Sequence, residues 1–192
     1  MTPERMQEGA LGHEVAQARF SRLYREQGRA ILTYALRRVA GPEDAADVVA
    51  ETFLVAWRRF DDVPLDDGAR LWLYGVARLV LTNLQRSERR RTRLGARLAE
   101  TLRTEISTHA APEGEAAEVL RAMGELGADD RELLMLVSWE ELTPAEAARV
   151  LGLSALATRS RLHRARRRLR TVLEERQSAG CGGGALDMGE AR

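Results

Sequence analysis

Apolar residues recur at helical spacing over most of this chain, and the period-two alternation of strands is almost absent. From about Ala16 to Val39 the positions expected to be buried are Phe20, Leu23, Tyr24, Ile31, Ala35 and Leu36, with Gly41 and Pro42 closing the element. Pro42, Glu43 and Asp44 open the next helix. A proline at the first helical position forfeits no hydrogen bond, and carboxylates suit the positive end of a helix dipole. Its apolar stripe runs through Ala45, Val48, Val49, Phe53, Ala56 and Phe60. Residues 61–68, rich in Asp, Pro and Gly, read as a loop. Leu73, Val76, Ala77, Val80 and Leu84 define a third helix, which leads into Arg86, Arg89, Arg90, Arg91, Arg93 and Arg97. Periodicity fades after that cluster and returns from Glu118 to Trp139 through Val119, Leu120, Leu126, Leu133, Leu136 and Val137.

The most sharply specified stretch follows. Thr143, Pro144 and Glu146 spell a capping box, Ala147, Ala148, Val150 and Leu151 make a small apolar inner side, and Gly152 can take the positive φ that ends a helix within one residue. Thr158, Leu162, Ala165 and Leu169 then recur on one stripe of a second helix, with Arg159, Arg161, Arg164, Arg166 and Arg168 off it. One face packs and the remainder can meet phosphates. This is the grammar of a helix-turn-helix. The expected fold class is all-α: two small helical domains joined by a flexible linker, the C-terminal one containing the helix-turn-helix. The boundaries expected are a flexible extension over 1–17, domains over 18–97 and 117–175, an acidic linker over 98–116 and a flexible Gly-rich tail over 176–192.

Composition narrows the function classes. With 44% apolar and 31% charged residues the chain is ordinary for a globular protein, and a net charge of +1 argues against a nonspecific polycation. Partner choice must therefore come from where the charge lies. Every one of the 30 basic residues is arginine, which contacts guanine and phosphate bidentately as lysine cannot. A single cysteine, Cys181, excludes an intramolecular disulfide, and with three scattered histidines it leaves no zinc constellation. No cofactor, metal or catalytic group is expected. No apolar run reaches membrane-spanning length and the first 17 residues lack a secretory hydrophobic segment, so a cytoplasmic protein without a membrane partner is expected.

Two clusters together carry a family resemblance. Residues 44–57, DAADVVAETFLVAW, and 71–78, LWLYGVAR, resemble the core-binding and promoter-melting helices of bacterial RNA polymerase sigma factors of the extracytoplasmic-function type. Residues 142–169, most closely SRLHRAR at 160–166, resemble that family's promoter-reading helix-turn-helix. Two patterns in the right order are more specific than a lone helix-turn-helix. The resemblance implies a non-enzymatic initiation factor whose partners are core RNA polymerase, through its largest-subunit coiled coil and its flap, and promoter DNA, with an anti-sigma protein as a further partner of many members.

By the same resemblance Asp47, Glu51, Phe53 and Trp57 would bind the core polymerase. Trp72, Tyr74, Arg78, Arg86, Arg89 and Arg90, with the loop 61–69, would serve the minus-ten element, and Arg159, Ser160, Arg161, His163, Arg164 and Arg166 the minus-thirty-five element. A packing role competes for Phe53, Trp57, Trp72 and Tyr74. The chain also departs from the family pattern. Leu79 stands where Asn is frequent and Gly75 where Arg is, which puts a polar contact to the minus-ten strand at issue. Leu156, Ala157 and Thr158 replace Gly, Thr and Val, which puts a phosphate contact at issue and sets a hydroxyl on the packing stripe. Two other classes stand beside this reading. A classical helix-turn-helix regulator with a helical sensing or dimerisation domain would bind DNA without polymerase. A helical adaptor would need no DNA, and the arginine-rich helix disfavours it.

Overall fold

The computed structural model describes residues 3–66, 68–96 and 115–181, with side chains over 14–66, 68–87 and 117–178. Residues 98–114 of the expected acidic linker and residues 182–192 of the expected tail fall outside the described residues, while residues 115 and 116 already belong to a helix. Two compact units, Met1–His109 and Ala110–Arg192, divide the chain. Among the described residues there are seven α-helices and no strand.

The first unit packs α1 (Pro3–Leu36), α2 (Pro42–Arg58) and α3 (Gly68–Ala96) against one another. Helix α1 starts well before Ala16, within the expected flexible extension. Pro3 at its head, followed by Glu4, Arg5, Met6, Gln7 and Glu8, is a run of good helix formers. Leu23, Ile31 and Ala35 are buried as expected, but Tyr24 and Leu36 are exposed and Tyr34 takes the inner place, because Ile31, Tyr34 and Ala35 share one stripe at i, i+3 and i+4. On α2 the whole expected stripe from Ala45 to Ala56 is buried. Thr52 joins it, its hydroxyl satisfied by donating to the Val48 carbonyl at 2.6 Å. On α3 the buried line is Leu73, Tyr74, Ala77 and Leu81, whereas Val76, Val80 and Leu84 are only half-buried. A short 3-10 turn, Phe60–Asp62, begins the loop between α2 and α3. Arg19 holds that loop: its Nη2 donates to the Val63 carbonyl at 2.8 Å and its guanidinium lies 4.5 Å from the Phe60 ring centre. The amide of Gly68 donates to Asp66 Oδ1 at 2.9 Å as α3 begins. A Cβ at Gly68 would sit 2.8 Å from that oxygen, so a larger residue there would displace the Asp66 side chain from its bond to the amide.

The second unit consists of α4 (Glu115–Glu125), α5 (Ala128–Ser138), α6 (Pro144–Leu151) and α7 (Ala155–Cys181), with α7 packed against the other three. The stretch expected as one helix from Glu118 to Trp139 is two, broken at Leu126 and Gly127. Gly127 is the N-cap of α5, Asp129 and Asp130 occupy its first turn, and Arg131 closes the preceding helix by donating to the carbonyls of Met123, Gly124 and Leu126. Leu133, Leu134, Leu136, Leu142, Ala147, Val150, Leu162 and Ala165 form the core. Helix α7 runs on through Ser178 to Cys181, beyond Glu175 where the flexible tail was expected to begin. Arg176, tied to Glu125 of α4, anchors its last third.

Candidate functional site

The helix-turn-helix forms as the residue types dictate. Thr143 Oγ1 accepts the Glu146 amide at 3.3 Å while Glu146 Oε2 accepts the Thr143 amide at 2.8 Å, completing the capping box of α6. At the other end Gly152 has φ 67°, the Leu153 amide bonds the Ala148 carbonyl at 2.9 Å and the Gly152 amide the Arg149 carbonyl at 3.3 Å, which is a Schellman turn. Ser154 caps α7, its Oγ accepting the Ala157 amide at 3.2 Å. The hydroxyl of buried Thr158 donates to the Ser154 carbonyl at 3.0 Å, so it sits on the packing stripe without an unmet bond.

The seven arginines between Arg159 and Arg170 divide into two sets. Arg161 and Arg168 both bind the buried carboxylate of Asp130. Arg161 Nε lies 2.8 Å from Oδ1, Arg168 binds Oδ2, and Arg161 reaches Asp129 at 3.1 Å as well. Burial alone would raise the Asp130 pKa, but the hydrogen bonds and charges of the two guanidiniums outweigh it and hold the carboxyl below its ordinary value. Arg161, expected among the duplex contacts, is thus a strut between α5 and α7. Nothing near it in sequence signals this, because its partner lies 31 residues away. Arg159, Arg164, Arg166, Arg167 and Arg170 form the second set. All five are exposed, and none has an ion pair among the described residues. Ser160 and His163 are exposed beside them. A step of about 100° per residue aligns Leu156, Ser160, His163 and Arg167 opposite the buried Thr158, Leu162 and Ala165, with Arg159 and Arg164 on either flank. Arg166 lies toward one margin of this face. Arg167, absent from the expected set, belongs to its centre. A pocket of about 410 Å³ opens beside it, lined by Asp130, Leu153, Ala157, Ser160, Arg161, Arg164 and Arg168.

In the first unit the expected core-binding set does not stay together. Phe53 is in the core, its ring 4.8 Å from that of Tyr24 and 6.2 Å from that of Phe20. Trp57 is 37% exposed and leans on Phe20 and Phe60 at ring separations of 5.1 and 6.1 Å, on the α1 side of α2. Asp47 and Glu51 face the other way, where with Leu54 they border a groove of about 880 Å³ floored by Val76, Leu79, Val80 and Leu84 of α3. Leu79 is 59% exposed there. Sequence reading missed this apolar floor because Leu54 and Leu79 lie off their helices' buried stripes.

The expected minus-ten set divides as well. Tyr74 is buried against Tyr34, ring centres 5.1 Å apart, and is a core residue. Trp72 and Arg78 are half-buried and Arg86 is exposed. Arg89 and Arg90 lie on α3, but their side chains are outside the described residues. In the loop before α3, Leu65 is 83% exposed.

Comparison with known proteins bears on the family of the chain. The description "Sigma-70 region 2" matches residues 23–91, and "Sigma-70, region 4" matches 116–169. The RNA polymerase sigma factor NccH of Alcaligenes xylosoxydans is 34% identical over 166 residues, spanning 82% of this chain and 88% of that one. The ECF RNA polymerase sigma factor SigL of Mycobacterium tuberculosis is 33% identical over 174 residues, spanning 87% and 94%. Among solved structures, CnrH in complex with the cytosolic domain of CnrY is 30% identical, with a TM-score of 0.61 over 86% of this chain and 96% of that one.

Proposed function

The chain belongs to the RNA polymerase sigma factors of the extracytoplasmic-function type and so directs RNA polymerase to promoters; from that premise we propose which surfaces do the work. The second unit reads promoter duplex at the minus-thirty-five element with the outward face of α7, through Arg159, Ser160, His163, Arg164 and Arg167, with Arg166 and Arg170 adding phosphate contacts. The observation that carries this is the division of the arginines. Asp130 ties down Arg161 and Arg168, and the cations left over gather on the face turned from the core. A regulator or an adaptor would have no need of the matching first unit, whose resemblance to region 2 is independent of the helix-turn-helix.

The first unit engages the polymerase through the groove between α2 and α3. Asp47 and Glu51 offer carboxylates to a basic partner helix at its rim, and Leu54, Leu79 and Val80 offer apolar area within it. The coiled coil of the polymerase's largest subunit is the occupant the family implies. CnrH is solved bound to part of another protein, and an anti-sigma partner of this chain would inhibit by competing for the same groove. Melting of the minus-ten element needs no nucleophile or metal, only apolar surface for displaced bases and cations along the strand. Leu65 at the loop tip, half-buried Trp72 and exposed Arg86 provide these, while Tyr74 supports them from the core. Bond formation belongs to the polymerase.

The test is DNA binding and run-off transcription on fragments of the source genome with this protein alone, core polymerase alone, and both together. Defined start sites are expected only with both. Tight sequence-specific binding by the protein alone, indifferent to polymerase, would instead identify a classical regulator.

A further inference from the structure

The outward face of α7 carries one apolar side chain to which the proposed duplex contacts assign no role. Leu156, the second residue of α7, is 72% exposed and stands in line with Ser160, His163 and Arg167. A single exposed leucine ordinarily needs no explanation. This one differs in its surroundings and its placement. Ser160 and His163 follow it on the same stripe with Arg159 on one flank, and Arg164 and Arg167 continue the face further along the helix, so a protein partner covering this face would have to bury or pair those groups as well. Leu153, the other exposed leucine of the turn, is off this stripe, beside Ala157 in the pocket next to Asp130. A DNA major groove, by contrast, presents phosphates along its rims and one large apolar feature on its floor, the C5-methyl group of thymine. The N-terminal residues of a recognition helix are those that reach base edges. The first turn of α7 is also held firmly, by the Ala157 amide on Ser154 Oγ and the Thr158 hydroxyl on the Ser154 carbonyl, so the backbone position from which Leu156 projects is set before DNA arrives.

We propose that Leu156 is a specificity-determining residue of the duplex-reading helix, packing on the methyl group of a thymine in the minus-thirty-five element. The proposal rests on the promoter-reading role of the helix-turn-helix. Leucine offers no hydrogen bond, so it discriminates by shape and desolvation. Opposite thymine it buries a methyl group, whereas opposite cytosine it would strip water from an amino group with nothing in return. The chain would thereby read a base where a glycine, the residue frequent here in the family, presents only backbone.

The experiment uses the full chain assembled with core polymerase, on promoters recovered by start-site mapping. Each thymine of the minus-thirty-five element is replaced in turn by deoxyuridine, which differs only in lacking the methyl group, and holoenzyme affinity is measured for wild type and Leu156→Ala. At one thymine the replacement should weaken wild-type binding about fourfold, the worth of one buried methyl group, and leave Leu156→Ala unaffected. Identical responses of the two proteins at every thymine would overturn the proposal while leaving the sigma-factor reading intact. Loss of affinity for core polymerase without DNA in Leu156→Ala would also overturn it, by assigning the side chain to a protein contact. If wild type yields no polymerase-dependent start site, the functional reading fails first. Circular dichroism of Leu156→Ala checks that the helices are intact.

Discussion

Asp130 shows how one residue redistributes the roles of several others. Its position in the first turn of α5 reads, in sequence, as a favourable helix-end charge and nothing more. In the fold it is a buried acceptor for two guanidiniums that would otherwise be counted among the DNA contacts. Because its folded pKa lies below the ordinary aspartate value of about 3.9, the contribution to stability is complete above that value and is lost as pH falls through the depressed one. Asp130→Asn should cost about 1–2 kcal/mol at neutral pH, less than a fully buried pair would, because Arg161 and Arg168 remain partly in water. Hydrogen exchange of the α5 and α7 amides should show that gap constant from pH 8 to 5 and narrowing below about pH 4. A gap independent of pH down to 2 would mean that packing, not charge, accounts for the loss. Phe53 and Tyr74 teach the complementary lesson. Each is an aromatic that the family resemblance places among binding residues, and each is closed into the core by a ring from α1.

At the scale of elements the tight turn between α6 and α7 is the critical piece, since it fixes where the reading helix begins. Gly152 has open space around the position a Cβ would take, so the cost of Gly152→Ala comes only from holding an L-residue at φ 67°. That cost is about 1–2 kcal/mol, and the thermal transition of the second unit should fall by roughly 4–8 °C for each kcal/mol. No shift in the melting of full-length Gly152→Ala would show that the turn relaxes into another conformation. The caps and turn of the helix-turn-helix were legible because they are local: cap, turn residue and stripe all lie within a few residues of one another. The break between α4 and α5 was not, although Gly127 marks it. Val119 to Val137 keeps an apolar rhythm across the break, and the decisive bonds come from the Arg131 side chain turning back. Likewise Glu141, at φ 56°, occupies a left-handed turn with no glycine to announce it.

For the whole molecule, two units of separate chemistry predict separable defects. Asp47→Arg with Glu51→Arg reverses the charge at the groove rim, both positions being exposed on α2, and should weaken core polymerase binding at least tenfold with little change in stability. Arg159→Ala with Arg164→Ala should leave core binding unchanged and reduce minus-thirty-five-dependent transcription. The reduction should be about 5- to 150-fold, the worth of one good bidentate base contact. Binding of labelled protein to core polymerase, paired with run-off transcription, distinguishes the two. Loss of both activities in either folded double variant would contradict the division. The arrangement also explains how a chain of net charge +1 can bind DNA: acids on α5 neutralise some arginines locally and leave the others massed on one face.

The amino-acid sequence by itself determined the all-helical class, the helix-turn-helix with its caps, the buried stripe of α2 and the family, because each depends on spacing within one element or on a pattern of adjacent residues. Only the tertiary structure decided which arginines of α7 are free, that Tyr34 rather than Leu36 enters the core, that Phe53 and Tyr74 are internal, and that Leu54 and Leu79 share a groove. These outcomes depend on which neighbour a side chain meets across a helix interface. Helical periodicity constrains the azimuth of each residue but leaves open what stands opposite it.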